Sequence, residues 1–199
     1  MPYLLDQPKM PQFPDYVFFE NELTPEECEK VISLAGKFPL EAAKVGSSLT
    51  PVEDSKIRTS EVSWIPWDAE TAWLYDKIGN VVCKTRQSWY PFHLSGIMEP
   101  FQLTHYRADN EGHYDTHKDM GPGGLSIRKL SVVVLLSSLD QFEGGELELL
   151  AIPGEDKKVT ELKQGGAVCF PSWELHRVNK LTKGDRWSLV SWVHGPPFT

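Results

Sequence analysis

The sequence predicts a mainly β protein with helices packed on the outside of a β-barrel or sandwich. Three observations carry that prediction. Helical patterns are confined to the first half of the chain. From about Phe92 onward, short runs rich in Val, Leu, Phe and Trp alternate with Gly, Asp, Asn and Pro. No repeat, linker or low-complexity stretch divides the 199 residues, 40% of which are hydrophobic, so one domain with a sizeable core is expected. That domain is expected to run over residues 1–199, with about 16–91 as a helical support region and about 92–199 as the β core.

The first 15 residues are rich in proline and read as extended. In "LTPEECEKVISLAGKF", Thr24 is a good N-cap, Pro25 suits the first helical position and Glu27 completes a capping box. Cys28, Val31, Ile32 and Ala35 recur at helical spacing as the buried stripe. A second helix is expected after Asp68, with Leu74, Ile78 and Val81 on one face; Gly79 and Asn80 inside it lower its propensity. "FQLTHYRA" reads as a strand. "KLSVVVLLSSL" is apolar almost throughout and reads as a strand buried on both faces. "GGELELL" alternates Glu146 and Glu148 with Leu147 and Leu149, the pattern of a half-exposed strand. "GAVCFP" and "RWSLVSWV" complete the set, with a turn expected at "LTKGD".

The formal net charge of -8 argues against a nucleic-acid backbone as partner, because neutralising phosphates needs a basic face. Cys28, Cys83 and Cys169 are scattered and odd in number, which points to a reducing compartment. "MPYLLDQPKM" has no basic n-region, so no signal peptide is expected, and no apolar run approaches the roughly 20 residues of a membrane span. The expectation is a cytoplasmic protein with neither nucleic acid nor membrane as partner.

"GHYDTHKDM" holds the same pattern twice, His113-x-Asp115 and His117-x-Asp119. On a strand, residues i and i+2 face one way, so either pair offers a nitrogen and a carboxylate oxygen to one point. A third ligand is needed from another strand. His176 in "FPSWELHRV", directly after an apolar run, is the best candidate; His194 in "HGPPF" reads as surface, and His93, His105 and His113 as ordinary polar or structural residues. Two histidines and one carboxylate leave three octahedral positions open, the arrangement of non-haem Fe(II) oxygen chemistry. In "GDRWSLVSW", Arg186, Ser188, Val190 and Trp192 share one strand face, and Trp187, Leu189, Ser191 and Val193 the other. Both faces are largely apolar, so Arg186 is expected to point inward, where a guanidinium needs an anion. No carboxylate at suitable spacing stands out. A substrate or cosubstrate carboxylate held bidentately, with Ser188 assisting, meets the need. His176 and Arg186, ten positions apart across the turn, are expected to meet by antiparallel pairing. Tyr106 reads equally as a core tyrosine or a pocket residue. Trp192 is the tryptophan expected at the pocket. Arg58 and Ser60 in "KIRTSEV" read as structural, with substrate contact the alternative, and the glycine-rich "KDMGPGGLSIRK" as a loop over the substrate.

Tyr106, Gly112, Tyr114, "HKD", "RKLSVVVLLSS", "GGELEL", "FPSWELHRV" and "GDRWS" follow one another in an order that resembles the Fe(II)- and 2-oxoglutarate-dependent dioxygenases, in their prolyl 4-hydroxylase-like branch of small prokaryotic and phage type. "ENELTPEECEKVI" is similar to the opening helix of that family, so the resemblance runs from about residue 16. It implies a double-stranded β-helix (jelly-roll) core with the N-terminal helices outside. It also chooses between the two pairs: the family carries a tyrosine three positions before the metal histidine, and Tyr114 stands so before His117. Fe(II) is then expected on His117, Asp119 and His176. 2-Oxoglutarate is expected to chelate the metal and to set its far carboxylate on Arg186, with Ser188, Tyr106, Tyr114 and Trp192 around it. O2 is the second cosubstrate, and ascorbate is admitted as an auxiliary. Asp119 favours hydroxylation over halogenation, in which related enzymes carry a small residue there. The implied reaction hydroxylates an unactivated C–H bond, of a peptidyl proline or other protein side chain, with release of succinate and CO2. The alternatives are a free amino acid or other small molecule as substrate, and a non-catalytic metal-binding barrel.

Overall fold

The helices form where local chemistry asks for them. In the computed structural model, which describes residues 13–45, 52–152, 155–158 and 162–197, β1 (Val17–Phe19) leads into α1 (Pro25–Ser33). The capping box is present: Thr24 Oγ1 accepts from the Glu27 amide at 3.2 Å and the Glu27 carboxylate accepts from the Thr24 amide at 2.9 Å. Most of the proline-rich start, up to residue 12, lies outside the described residues. β2 (Glu41–Ala42), β3 (Arg58–Thr59) and β4 (Glu61–Ile65) precede α2 (Ala72–Ser88), which buries Leu74, Ile78 and Val81 as its spacing requires. Then follow β5 (Gly96–Ile97), β6 (Phe101–Arg107), β7 (His113–His117), β8 (Arg128–Leu135), β9 (Phe142–Gly144), β10 (Leu147–Ile152), β11 (Glu155–Lys158), β12 (Ala167–Pro171), β13 (His176–Val178) and β14 (Leu181–His194).

Two antiparallel sheets result. The larger runs β1-β12-β8-β14-β6-β4-β2, with β5 and β9 also paired to β14; the smaller runs β11-β10-β13-β7-β3. From β6 the chain alternates between them: β6, β8, β12 and β14 in the larger sheet, β7, β10 and β13 in the smaller. That winding is a double-stranded β-helix, the expected fold class. The outer face of the larger sheet is covered by the helices, where Cys28, Val31, Leu74, Ile78 and Val81 pack with Leu103, Leu130, Val132, Val134, Leu189 and Val193. A second cluster, with Val133, Leu135, Leu147, Leu149, Phe170 and Val178, fills the space between the sheets. β8 contributes alternate residues to both clusters, which is why its sequence is apolar without alternation. Each such fully buried aliphatic side chain contributes about 1.5–3 kcal/mol relative to exposure.

Three expectations need correction. Region 16–91 is not only helical: β1 pairs with β12, β3 with β7 and β4 with β6, so it supplies strands to both sheets. The "LTKGD" stretch is strand, because β9 pairs with it and Gly184, at φ +70, lets the chain pass Gln141 O, to which a Cβ would come within 1.9 Å. Glu148 is buried rather than exposed, held by Arg177 Nε at 2.8 Å and Asn179 Nδ2 at 2.9 Å. The three cysteines are free thiols. Among the described residues, no helix is long and apolar enough to cross a membrane.

Candidate metal centre

His117 and His176 face each other directly in the β7–β13 ladder. The next pair, Val178 with Tyr114, is three residues back on β7 but two forward on β13. β7 therefore carries a bulge, and the extra residue resets its alternation. Tyr114 and His117 come to the same side and stack, ring centroids 3.5 Å apart. His113 and Asp115 do not join the centre: Asp115 is exposed, and His113 Nδ1 sits 2.9 Å from Glu111 O.

Asp119 lies two residues beyond the end of β7 and is buried. Its Oδ1 is 3.8 Å from His117 Nε2 and its Oδ2 3.6 Å from His176 Nε2. One ligand atom from each of the three residues lies within 4.8 Å of the others, and among the described residues no other His, Cys, Asp or Glu group converges so. Both imidazoles are oriented from behind. His117 Nδ1 is 2.8 Å from Asp115 O and His176 Nδ1 is 3.0 Å from Glu174 O. A carbonyl only accepts, so each Nδ1 carries the proton and each Nε2 offers its lone pair to the centre. Burial, then the neighbouring His176, pushes the His117 pKa down to about 3, which keeps that ring neutral. Asp119 is held below the usual carboxylate range: burial opposes this, but His176, His117, the Ser131 hydroxyl and Arg128 outweigh it. Ser131 Oγ donates to Asp119 Oδ2 at 2.6 Å and is itself 3.0 Å from Ser172 Oγ. Two imidazole Nε2 atoms with an ionised carboxylate are the donor set a divalent, borderline metal takes.

The centre opens into a cavity of about 850 Å³ between the sheets. Arg186, Ser188, Val190 and Trp192 all line it, as the strand period requires. Arg186 is 2% exposed; its Nη1 donates to Ser188 Oγ at 3.3 Å and its guanidinium lies 5.6 Å from the Tyr106 ring centroid. Among the described residues no carboxylate forms an ion pair with it, and burial lowers its pKa. Gly145, at φ +66, makes room for it: a Cβ there would stand 2.3 Å from Leu181 Cδ1 and 3.0 Å from Arg186 Cδ. His176 and Arg186 do not meet by pairing, since β13 and β14 belong to different sheets; they converge from opposite walls.

Toward Trp192 the cavity holds a cluster that the sequence hid. Arg128 stacks 3.6 Å over the Trp192 ring and is held by both oxygens of Glu99, with Nε to Oε1 at 2.8 Å. His194, expected at the surface, is 2% exposed, with Nε2 2.8 Å from the same Glu99 oxygen. Burial would raise the Glu99 pKa, but His194 and Arg128 bring it to about 2. The Arg128-Lys129 pair at the head of an otherwise largely apolar strand was the available signal. Arg58 also lines the cavity, stacked 4.5 Å over Tyr114. His105 stays structural, stacked on Trp187 at 3.9 Å on the far face of β6.

Fold and centre together define a double-stranded β-helix with an open two-histidine, one-carboxylate site. Residues 101–194 match the family model of the 2OG-Fe(II) oxygenase superfamily. A PKHD-type hydroxylase of Idiomarina loihiensis is 36% identical over 103 residues, 50% of this chain and 46% of the relative. The chain thus spans about half the length of the curated relatives it matches. Among solved structures, a prolyl hydroxylase of Trichoplax adhaerens in complex with a hypoxia inducible factor peptide fragment superposes with a TM-score of 0.71 at 16% identity, over 90% of this chain and 83% of that one. A viral collagen prolyl hydroxylase of Paramecium Bursaria Chlorella virus-1, in a 2OG complex, gives 0.66 at 19% identity, over 92% and 97%.

Proposed function

We propose that the protein is an Fe(II)- and 2-oxoglutarate-dependent hydroxylase, with the metal on His117, Asp119 and His176 and the distal carboxylate of 2-oxoglutarate on Arg186. The observation that carries this reading is the pairing of an open metal-donor set with a buried guanidinium that has no carboxylate partner among the described residues, both on one cavity. A structural metal site closes its coordination shell and has no use for that cation, which weighs against a non-catalytic barrel. The strands that residues before 92 lend to both sheets support one domain over 1–199.

When bound, Fe(II) with 2-oxoglutarate and O2 supplies the oxidising equivalents that turn a C–H bond into C–OH, with release of succinate and CO2. The chain supplies position and exclusion. Asp115 O and Glu174 O fix the two imidazoles, Ser131 fixes Asp119, and Ser188 and Tyr106 flank the Arg186 guanidinium. Val133, Leu147 and Val190 give the pocket apolar walls that limit water around the reacting centre. Asp119 fills the position that a halide would need, which favours hydroxylation. The names of the solved relatives support a peptidyl proline or another protein side chain as substrate. A free amino acid or other small molecule is the second reading, favoured by Arg58, which makes no ion pair among the described residues and whose Nη2 lacks a hydrogen-bond partner.

The test is an anaerobic titration of 2-oxoglutarate into the Fe(II) protein, followed by its visible charge-transfer band, in wild type, Asp119→Ala and Asp115→Ala. The band is expected in wild type and Asp115→Ala and absent in Asp119→Ala. No band in folded wild type sinks the reading.

A further inference from the structure

We propose that the substrate of this site carries a carboxylate, and that Arg58 binds it. The inference rests on the metal and 2-oxoglutarate assignments above. Arg58 stands on β3, at the edge of the smaller sheet, and is 8% exposed. Its Nε donates to Ser60 Oγ at 2.8 Å and its guanidinium packs on the Tyr114 ring. Its Nη2 is buried without a hydrogen-bond partner, and among the described residues it makes no ion pair. A cation so placed costs several kcal/mol unless an anion joins it.

The same cavity shows what an internally satisfied arginine looks like. Arg128 is gripped by both Glu99 oxygens. Among the described residues, Arg58 and Arg186 lack any such carboxylate, and they sit on different sheets. 2-Oxoglutarate accounts for Arg186, and its other end is directed to the metal. It cannot also serve Arg58, because its two carboxylates are then both assigned, one to Arg186 and one to the metal. A second anion is therefore required, and the second ligand of the site is the substrate. A backbone carbonyl would satisfy Nη2 but leave the charge unbalanced; a carboxylate satisfies both.

Position narrows the class further. The guanidinium lies 4.5 Å from the Tyr114 centroid and that centroid 3.5 Å from the His117 ring, so the carboxylate is anchored one small molecule's length from the metal. The neighbouring walls, Ile57, Val62 and Leu125, are apolar. The C–H bond to be oxidised thus lies a few bonds from the carboxylate, on an aliphatic or aromatic body. Among the possible sources of the carboxylate are a free acid such as an amino acid and the C-terminus of a peptide. Within a protein, the side chain of an internal Asp or Glu is the third source, and an internal residue of any other type offers none.

The test uses the anaerobic Fe(II) protein saturated with 2-oxoglutarate. Thermal shifts and changes in the charge-transfer band are recorded against the common amino acids, each as free acid, N-acetyl acid and primary amide. Tripeptides ending in each residue follow, with free or amidated C-termini. At least one acid is expected to shift both signals while its amide does not. That binding should weaken at least about 30-fold in Arg58→Gln and partly return in Arg58→Lys, as for a truncated buried charge pair. 2-Oxoglutarate affinity should stay within about 3-fold in both variants, which also certifies their folding, since the buried contact at Arg186 is untouched. The free and amidated tripeptides separate the first two sources. The proposal is overturned if amides bind as well as acids, if peptides blocked at both ends and lacking Asp and Glu bind, if acid binding survives Arg58→Gln, or if no acid shifts either signal. Loss of the 2-oxoglutarate band in wild type would instead strike the proposed function.

Discussion

Replacing Arg186 by Met should stabilise the ligand-free protein and abolish its response to 2-oxoglutarate. The guanidinium is 2% exposed and has one neutral hydrogen bond, to Ser188 at 3.3 Å, and one ring beneath it at 5.6 Å. Losing the hydrogen bond costs about 1 kcal/mol. A cation–ring contact contributes at most about 2 kcal/mol, and less near the 6 Å limit of its range. Against these stands the desolvation of an unpaired ion, several kcal/mol even after relaxation. Methionine keeps a flexible stem of similar reach and can fill the space. The sum favours the variant by about 1–4 kcal/mol, the range seen when buried ionic groups give way to apolar ones. Urea unfolding of the metal-free protein, followed by tryptophan fluorescence, reads this directly. With metal and 2-oxoglutarate at 100 times its Kd, wild type should gain about 2.7 kcal/mol and the variant nothing from the 2-oxoglutarate. A ligand-free variant less stable than wild type, or one that still gains from 2-oxoglutarate, would refute the claim that Arg186 waits for an external carboxylate.

Ser131→Ala removes the hydroxyl that holds Asp119 Oδ2, and should weaken divalent metal binding about 10–100-fold in a chelator competition, with the fold unchanged by circular dichroism. The metal-free protein should lose stability as pH falls from 6.5. The folded His117 titrates at about 3 against 6.5 unfolded, so between those values the unfolded chain binds a proton that the native state refuses. The slope from this group approaches about 1.4 kcal/mol per pH unit, and His117→Asn should flatten it in urea melts at pH 6.5 and 5. Gly145→Ala should destabilise by about 1–3 kcal/mol and weaken 2-oxoglutarate binding, because φ is +66 and the new Cβ meets Leu181 and Arg186. Gly79→Ala, inside α2 with nothing within 4 Å of the added carbon, should instead stabilise by about 0.5–1 kcal/mol in the same assay.

What the sequence disclosed was what short-range chemistry decides. The Thr24–Glu27 box and the Cys28/Val31 stripe are complete within one helix, so they were legible. The Arg186, Ser188, Val190, Trp192 face follows from period two alone, and the structure lines the cavity with all four. The β7 bulge was not legible, because the extra residue exists only relative to β13, about 60 positions later. Without that bulge the two His-x-Asp pairs would project alike, and residue pattern alone could not choose between them. His194 was misread for the same reason. Its Gly-Pro surroundings suggest surface, but its partner Glu99 is 95 residues away in sequence and adjacent only through β5 and β14. Glu148 alternates like an exposed residue because Arg177, across the β10–β13 ladder, cannot be seen from β10.

The overall charge of -8 and the chemistry of the cavity act on different length scales. Screening at physiological salt confines exposed charges to a range of about 8 Å, so the acidic surface neither draws an anion in nor holds one. Inside, the balance reverses. Among the described residues, of the three cavity arginines only Arg128 is neutralised from within, by Glu99, while Arg58 and Arg186 have no carboxylate partner and His117 stays neutral beside an ionised Asp119. A metal cation satisfies the carboxylate, and the two guanidiniums then demand two further anionic groups from outside the chain. The ligand-free cavity is therefore an unfavourable arrangement of charge that its ligands relieve. On the proposed assignments, Asp119 would take the metal and Arg186 the far carboxylate of 2-oxoglutarate, which would leave Arg58 to select what is oxidised.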